Sequence, residues 1–387
     1  MKKSLIALAV ASAAMIGSAH AANVEVYGLL DTSLAYVWSD ADSSLTDSSS
    51  KFTMNTGREF GSRVGIRGSE DLGDGLKLGF VLETGFESDT GSLEQNNRIF
   101  GREAHINLTG DFGYLAFGRQ PIFGSVLGAN GLFRAIDPLF ANYTEAFGSG
   151  HATASMWTRV DNAISYRTPT WGGFTGYAMY SFQNDSKTAD GYYNEGAREG
   201  SAEVDRYGSL AARFQRGAFE SVLVWDITTY GNERAGARKT DISDGMTATL
   251  GGNYTFANGL KVLAFGQWFD DQELGRAGVT GGALKEFFPD RNGTYGYVDG
   301  YGLSLGVNYP VWGGVVKGQI AYRDMDNQYD DEFKRWTVAA AYDYPLSKRT
   351  SVYAMTGYTQ ESMESKRSNV DADPKGYEFV FGMLHRF

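Results

Sequence analysis

Apolar and polar side chains alternate along most of the chain with a period of two residues, which is typical of a β-strand with two different faces. One stretch carries at its even positions Leu76, Leu78, Phe80, Leu82 and Phe86. Its odd positions include Lys77, Gly79 and Glu83. The final stretch repeats the pattern, with one face carrying Phe379, Phe381 and Met383 and the other Glu378, Gly382 and Arg386. Alternation alone fits either a membrane barrel or a soluble sandwich, whose apolar face would be a shared core.

The spacing of turn residues separates these two architectures. The pattern predicts sixteen strands, near residues 22–38, 58–70, 76–88, 96–109, 111–120, 158–168, 173–183, 203–216, 217–230, 244–256, 259–271, 297–310, 312–325, 332–344, 349–362 and 375–387. Their connectors alternate between short glycine-containing turns, such as 73–75 and 257–259, and long polar loops, such as 39–56 and 184–203. Short turns on one rim and long loops on the other are typical of an outer-membrane barrel. We therefore predict an all-β fold, a transmembrane antiparallel β-barrel of about sixteen strands with short periplasmic turns and long extracellular loops, and eighteen strands remain open.

The physics of a bilayer explains why such a chain needs no long apolar run. Lipid offers no hydrogen-bond partner, so a sheet can cross only by closing on itself, and about ten residues per strand suffice. Tyr and Trp favour the two membrane interfaces, because an amphipathic ring can satisfy both media. Trp171 and Trp312 lie at predicted short turns, whereas Trp38, Trp268 and Trp336 lie near the long-loop ends of strands. These positions indicate two aromatic girdles.

The first 21 residues have the three parts of a signal peptide. Two lysines follow the initiating methionine, residues 5–16 are apolar but too short to span a bilayer as a helix, and residues 19–21 read Ala-His-Ala, a form that signal peptidase cleaves. We expect export and a mature chain that starts at Ala22 and forms a single barrel domain over residues 22–387. A buried N-terminal core helix is the alternative.

Composition and charge narrow the classes of function. The 387 residues include 50 glycines and no cysteine, which excludes disulfide scaffolds, cysteine-ligated metal centres and thiol catalysis. The net charge is −11, and removal of the two signal-peptide lysines leaves 33 basic against 46 acidic residues, a net charge of −13. An acidic balance disfavours a nucleic-acid partner.

Four internal motifs and the C-terminus resemble those of a known family. The motifs are VYGLLD at 26–31, SRVGIRGSEDLG at 62–73, GRQ at 118–120 and RVDNAISY at 159–166, and the chain ends with GMLHRF at 382–387. Over essentially the whole mature chain, the protein resembles the general diffusion porins of Gram-negative bacteria, most closely the beta-proteobacterial branch. The resemblance implies a homotrimer in the outer membrane, with one water-filled channel per barrel. It also implies passive diffusion of small hydrophilic solutes and ions, with no cofactor and no catalysis.

The resemblance further implies that the third long loop folds inward and narrows the channel. Here that loop is the connector at about residues 120–157, the longest in the chain. Long connectors without secondary structure are usually functional, although a surface loop like the others is the alternative. In the family, a ladder of basic side chains on the wall faces acidic groups on this loop, so that a transverse field acts on each passing solute.

Five arginines are the candidates for the basic wall. Arg63 and Arg159 match wall arginines of the family, and Arg102 matches a third. Arg67 shares the face of Arg63 by alternation, and Arg119 directly precedes the loop. Arginines that face a hydrated lumen cost little, whereas the same groups facing lipid would cost about 2–4 kcal/mol each near the midplane. Each could instead be an ordinary surface arginine paired with a carboxylate.

The loop candidates are acidic residues with one basic neighbour. They are Asp137 and Glu145, with Arg134 beside them. Charged rings select ions by sign, while the narrow diameter sets the size limit. The arginines favour anions weakly, although the net charge of the chain does not.

Two positions depart from the expected ladder. Leu29 stands on the first strand where some relatives carry a basic residue, which leaves a fourth basic position in doubt. Alternation places Arg102 on the same strand face as Ala104 and Ile106, whereas His105 occupies the opposite face. A strand that faces the trimer axis would account for this arrangement.

Other functions remain as alternatives. Histidines 105, 151 and 385 are the only ones in the predicted mature chain, and none lies in a nucleophile elbow or a paired-histidine metal helix, so an outer-membrane enzyme is disfavoured. The acidic clusters at 270–271 and 330–332 fall in predicted long loops, where a solvated rim is favoured over a calcium site. A non-channel barrel, such as an adhesin, and a soluble secreted sandwich are the other candidates.

The C-terminal residue carries a separate prediction. Phe387 follows apolar or aromatic residues at alternate positions, which resembles the recognition signal for the outer-membrane assembly machinery. We therefore expect this machinery, outer-membrane lipid and lipopolysaccharide as partners of the protein.

Overall fold

The computed structural model describes residues 23–42, 47–139, 144–147, 152–154, 158–186, 199–231, 243–274, 278–281, 283–284, 295–365 and 370–387. The predicted signal peptide, His151 and Trp157, the end of the predicted constriction loop, lie outside these residues. In the described part of the chain, no helix is long and apolar enough to cross a membrane.

Antiparallel strands form one closed barrel. In chain order they are β1 (Asn23–Asp40), β2 (Ser49–Thr56), β3 (Arg63–Gly73), β4 (Leu76–Gly85), β5 (Glu103–Gly110), β6 (Gly113–Pro121), β7 (Arg159–Arg167), β8 (Phe174–Ser181), β9 (Arg206–Arg216), β10 (Phe219–Thr229), β11 (Gly245–Thr255), β12 (Lys261–Leu274), β13 (Gly296–Val311), β14 (Gly314–Asn327), β15 (Asp331–Pro345), β16 (Thr350–Ser365), β17 (Val370–Ala372) and β18 (Lys375–Arg386). The last strand pairs with the first, with Leu29 opposite Arg386. Closure pairs the two edge strands with each other, as a bilayer requires.

These segments occupy sixteen positions in the wall, which confirms the predicted strand number. β2 and β3 both pair with β1, β2 along residues 32–39 and β3 along residues 23–29, so together they form one interrupted wall strand. β17 pairs with residues 363–365 of β16, beyond the part of β16 that pairs with β18. The barrel therefore has sixteen strands, two of which are interrupted.

Two predicted strand boundaries were wrong. β2 lies inside the predicted loop at 39–56, and residues 58–62, predicted as strand, separate β2 from β3. Residues 96–102 were also predicted as strand, but they belong to a loop that contains the helical turn Glu94–Asn97. Asn96 and Asn97 have φ values of +59° and +58°, a left-handed conformation that ends an extended strand.

The two acidic clusters lie in strands, which corrects their assignment to long loops. Asp270 and Asp271 are part of β12, Asp331 and Glu332 begin β15, and only Asp330 lies in the connector between β14 and β15. That connector has three residues, 328–330. Strands β12 to β15 are 14 to 16 residues long, more than the roughly ten that a bilayer needs, so their ends can be polar.

The two faces of the wall differ as the alternation predicts. In β18, Phe379, Phe381 and Met383 are 53%, 58% and 52% exposed on the outside, whereas Glu378 is fully buried inside the barrel. Trp171 and Trp312 lie exposed at short turns. This exposed apolar surface forms the lipid-facing band of the barrel, because water would penalise so large an apolar area.

The turn between β3 and β4 depends on its glycines. The φ values are +91° at Gly73, +51° at Asp74 and +77° at Gly75. Glycine adopts this left-handed region freely and Asp tolerates it, so the Gly-Asp-Gly sequence suits a tight connection. The predicted short turn is confirmed.

The third long loop, which we call L3, follows β6 and packs inside the barrel. Phe123, Phe133 and Ile136 of L3 belong to a buried cluster with wall residues of β7 to β10, β12 and β14. Farther along, Phe147 packs in a second cluster with Tyr353 of β16. Each fully buried side chain of this size contributes roughly 1.5–3 kcal/mol. L3 is therefore fixed against the inner wall, which confirms its predicted inward fold.

Glycines in the wall allow this close approach. A Cβ atom at Gly306 would lie 2.3 Å from Cγ of Pro138 in L3, and one at Gly357 would lie 2.4 Å from Cδ1 of Phe147. Both distances are too short for a real contact between carbon atoms. The glycines of β13 and β16 therefore form the surface on which L3 rests.

Candidate functional site

A cavity of about 480 Å³ lies inside the barrel between L3 and the inner faces of β1, β3 and β4. We call it the basic cavity. Among the described residues, its charged lining consists of Arg63, Arg67, Arg102, Arg134, Arg386, Glu25, Glu83 and Glu103. These five arginines and three glutamates carry a net charge of +2, although the whole chain is acidic.

Glu83 of β4 holds two of the predicted wall arginines together. Its Oε1 accepts a hydrogen bond of 2.6 Å from Nε of Arg102, and its Oε2 lies 3.7 Å from Nε of Arg63. The hydroxyl of Tyr27 also donates to Oε2, at 2.9 Å. The Arg102 side chain is only 4% exposed, whereas that of Arg63 is 23% exposed. Glu83 thus compensates Arg102 more fully than Arg63, which stays open to the cavity.

Arg102 reaches the inside even though the alternation of β5 predicts the opposite face. β5 begins at Glu103, so Arg102 belongs to the preceding loop, and its backbone N–H donates to the carbonyl of Glu83. Within β5 the alternation holds, because Ile106 is exposed outside and His105 is buried. The inward position of Arg102 therefore needs no explanation from a trimer-facing strand.

Three residues lie side by side on the inner wall at the height of Arg63. Leu29 of β1 is opposite Arg63 on one side and opposite Arg386 of β18 on the other. All three line the basic cavity. Arg386 therefore provides a guanidinium beside the position where Leu29 interrupts the expected ladder.

Arg67 of β3 pairs with Glu25, near the start of β1. It shares the inner face of Arg63, as predicted, and its Nη2 lies 2.8 Å from Oε2 of Glu25. Its guanidinium also stacks 4.9 Å from the centre of the Tyr27 ring. Both side chains of the ion pair are more than half exposed. Exposed pairs of this kind contribute at most about 1 kcal/mol.

L3 contributes a basic rather than an acidic group to the cavity. Arg134 lines it and donates from Nε to the carbonyl of Val126 at 2.7 Å. Asp137 is buried against the opposite wall instead, where its Oδ1 accepts from Nε2 of Gln319 at 3.2 Å. Asp137 therefore does not face the arginines of the basic cavity.

Glu145, the second acidic candidate in L3, ties the loop to the wall. It binds Nζ of Lys51 at 2.7 Å and Nη2 of Arg58 at 3.3 Å, and its backbone N–H donates to Glu378 at 2.6 Å. Burial opposes its ionisation, but the hydrogen bond from Lys51 and the charges of Lys51 and Arg58 hold the pKa of this carboxyl below its usual value. These contacts attach L3 to β2 and β18.

The remaining predicted arginines lie elsewhere. Neither Arg119 nor Arg159 is among the described residues that line the basic cavity. Arg119 pairs with Asp161, which also binds Arg98 at 2.9 Å, while Arg159 begins β7 and is buried. The register of β6 against β7 shifts between Gly118 and Gln120, and Asn162 has a φ of +50°. Such a bulge changes the face of the residues beyond it.

The sequence prediction missed four charged residues of the cavity: Glu25, Glu83, Glu103 and Arg386. A signal for two of them was present, because alternation places Glu83 and Arg386 opposite the apolar faces of β4 and β18. Glu25 and Glu103 lie at the ends of strands, where the pattern is too short to assign a face.

The described residues contain no group of three or more His, Asp or Glu side chains that could hold a metal ion. His105 contacts Glu103 at 3.2 Å, and His385 contacts the hydroxyl of Thr350 at 2.9 Å.

Comparison with known proteins identifies the family. A family model described as Gram-negative porin matches residues 5–363. The chain belongs to the Gram-negative porin family. An outer membrane porin protein of Bordetella pertussis is 33% identical over 408 residues, covering 100% of both chains. Outer membrane porin protein 32 of Delftia acidovorans is 32% identical over 356 residues, covering 91% of this chain and 88% of the other.

A solved structure supports the same assignment. An anion-selective porin from Comamonas acidovorans matches this porin with a TM-score of 0.67 and 26% identity, covering 95% of this chain and 100% of that one. The predictions of a porin family, a sixteen-stranded barrel and an outer-membrane location are confirmed. The protein is an outer-membrane porin that forms a channel, and the relatives named here are porins rather than enzymes.

Proposed function

We propose that this porin allows small hydrophilic solutes and ions to diffuse passively across the outer membrane, and that the basic cavity is the narrowest part of its channel. One observation carries the proposal: L3 packs along the inner wall from β7 to β18, while charged side chains line the cavity on the remaining side. A solute that crosses the barrel at this height must pass the arginines.

The balance of charge favours anions. The described side chains that line the basic cavity carry a net charge of +2, and a charged constriction selects ions by sign. The net charge of the whole chain bears less on this question, because exposed charges more than about 10 Å away are screened at ordinary salt concentration. The anion-selective porin from Comamonas acidovorans, with 26% identity, supports the same preference.

The roles of individual residues follow from their contacts. Arg63 and Arg386 attract the anion, because Arg63 is the more exposed arginine of the pair around Glu83 and Arg386 lies beside Leu29. Glu83 and Glu103 are the acidic groups near these arginines. We assign to Glu145 a structural role, since it binds Lys51 and Arg58.

We further propose that three such barrels form a homotrimer. The exported chain would lose residues 1–21, and the outer-membrane assembly machinery would recognise Phe387. The resemblance of the sequence to general porins supports these steps. The wide apolar outer surface supports contact with lipid, lipopolysaccharide and neighbouring barrels.

Reconstitution in planar bilayers tests the channel and the trimer together. We expect stepwise conductance increments that commonly arrive in threes, because each trimer inserts three channels. Liposomes that contain the protein should also swell in solutions of small sugars. A correctly folded barrel that passes no current and causes no swelling would instead favour a structural or adhesive barrel.

A further inference from the structure

Residues 57–62 interrupt the wall between β2 and β3, and we call them the inner segment. Asp31 of β1 is fully buried, and its Oδ2 accepts hydrogen bonds from the backbone N–H groups of Glu59 at 3.2 Å and Phe60 at 2.8 Å. The hydroxyl of Ser62 donates to the carbonyl of Asp31 at 3.0 Å. These bonds replace part of the strand pairing and hold the segment on the inside of β1.

Charged side chains fasten the inner segment to distant parts of the wall. Glu59 binds Nζ of Lys317 on the inner face of β14 at 3.3 Å. Arg58 binds Glu145 of L3 at 3.3 Å and lies 3.7 Å from Glu378 of β18. The Arg58 and Glu59 side chains are 9% and 6% exposed. The segment is thus bonded to β1, β14, β18 and L3, which fixes its position within the lumen.

Phe60 is the residue of this segment that borders the open space. It lines the basic cavity and packs against the apolar cluster of L3. The guanidinium of Arg386 lies 5.4 Å from the centre of its ring. A solute in the cavity therefore meets the arginines of the wall together with an aromatic ring that does not belong to L3.

We propose that the inner segment is a second constriction element, separate from L3, and that Phe60 limits the width of the basic cavity. This inference rests on the proposed function, because it assigns the size limit of the same channel. Truncation of the ring widens the passage, while the side-chain contacts of Arg58 and Glu59 and the backbone bonds to Asp31 keep the segment in place. A bulky group added at the same position narrows the passage.

The absence of cysteine from the sequence allows a clean test with thiol chemistry. Phe60→Cys introduces a single thiol into the cavity, and Phe52→Cys is the matched control, because Phe52 lies eight residues earlier on β2 and is 69% exposed on the outer face. Each variant is reconstituted in planar bilayers and treated with a water-soluble, negatively charged methanethiosulfonate. We expect a stepwise loss of conductance for Phe60→Cys and no change for Phe52→Cys.

A second pair of variants measures the size limit directly. Phe60→Ala should increase the rate at which liposomes swell in the larger sugars of a graded series, whereas Phe52→Ala should match the unmodified protein. Mass spectrometry shows whether the reagent has modified the thiol. The inference is overturned if Phe60→Cys conducts but its thiol is not modified. It is equally overturned if the thiol is modified and the conductance does not fall. It is also overturned if conducting Phe60→Ala keeps the original size limit. An unmodified protein that is folded but silent would contradict the proposed function instead.

Discussion

Arg63 is the predicted wall arginine whose environment best suits it to attract an ion. Glu83 lies 3.7 Å from Arg63 but 2.6 Å from Arg102, so its negative charge neutralises Arg102 more than Arg63. The guanidinium of Arg63 also donates to the carbonyl of Gly61, at 3.2 Å, which orients it along the wall. Its charge is therefore both fixed in direction and partly exposed to the cavity.

Replacement of Arg63 by Ala should shift ion selectivity toward cations. The change lowers the net charge of the described side chains that line the cavity from +2 to +1, and Glu83 loses a counter-charge. The measurement is the reversal potential across a potassium chloride gradient. Lys334→Ala is the control, because this lysine lies at the outer end of β15, is half exposed and pairs with Glu332. Equal reversal potentials for the Arg63 variant and the unmodified porin would remove Arg63 from the constriction.

The inward or outward face of each arginine could be predicted from the sequence only in part. Alternation placed Arg63 and Arg67 on one face correctly, because β3 is regular between them. It misplaced Arg102, which lies just outside β5, and it could not locate Arg159, since a bulge near Asn162 separates it from the rest of β7. The face of a residue can be derived from alternation only while the backbone stays extended.

At the scale of elements, the position of L3 depends on polar side chains and on a glycine of the inner wall. Asn253 of β11 donates to the carbonyl of Ala135 at 2.7 Å, and Gln267 of β12 accepts from the backbone of Ala154 at 2.8 Å. Gly306 provides the space for Pro138 between these polar contacts. The position of the loop is thus set by hydrogen bonds and by missing side chains together.

Gly306→Ala should therefore displace L3 while leaving the barrel intact. The added methyl group would lie 2.3 Å from Cγ of Pro138 and 2.9 Å from the carbonyl oxygen of Gly318. Overpacking of this kind costs about 1–3 kcal/mol, which the loop can relieve more readily than the wall. We expect noisier single-channel currents and a changed conductance. Gly318→Ala is the control, because its nearest neighbour would be at an ordinary 3.5 Å. Identical single-channel currents for the two variants would contradict the claim that L3 packs directly on Gly306.

The elements differ in how well the pattern predicted them. The apolar faces of β12 to β16 alternate over long stretches, so their positions were predicted within a few residues. Residues 58–62 of the inner segment were predicted as strand, because their turn depends on buried Asp31 of β1 rather than on local residues. The turn of the inner segment is determined by contacts between residues far apart in sequence. The local pattern of a single sequence does not show such contacts.

At the scale of the whole molecule, the barrel closes at its C-terminus. Phe387 exchanges two backbone hydrogen bonds with Gly28, both 3.1 Å long. Its ring lies directly over Gly28, since a Cβ atom there would be 2.3 Å from Cζ of the ring. The VYGLLD motif and the terminal phenylalanine thus form the two sides of one contact.

Deletion of Phe387 should lower the yield of assembled barrel. The change removes the final pair of backbone bonds at the β1–β18 seam together with the ring that covers Gly28. Assembly is measured by the heat-sensitive migration of the protein on denaturing gels. Phe387→Tyr is the control, because it keeps the ring and the backbone and should assemble normally. An unchanged yield after the deletion would refute a role for this residue in assembly.

The most direct test of the account is the reversal potential of the unmodified porin in a planar bilayer that separates concentrated from dilute potassium chloride. L3 and the inner segment are proposed to leave a passage whose described side chains are net basic, so chloride should cross more readily than potassium. The dilute side should then become negative at zero current. A positive potential on the dilute side would show that potassium crosses more readily, and would contradict the claim that these arginines control the channel.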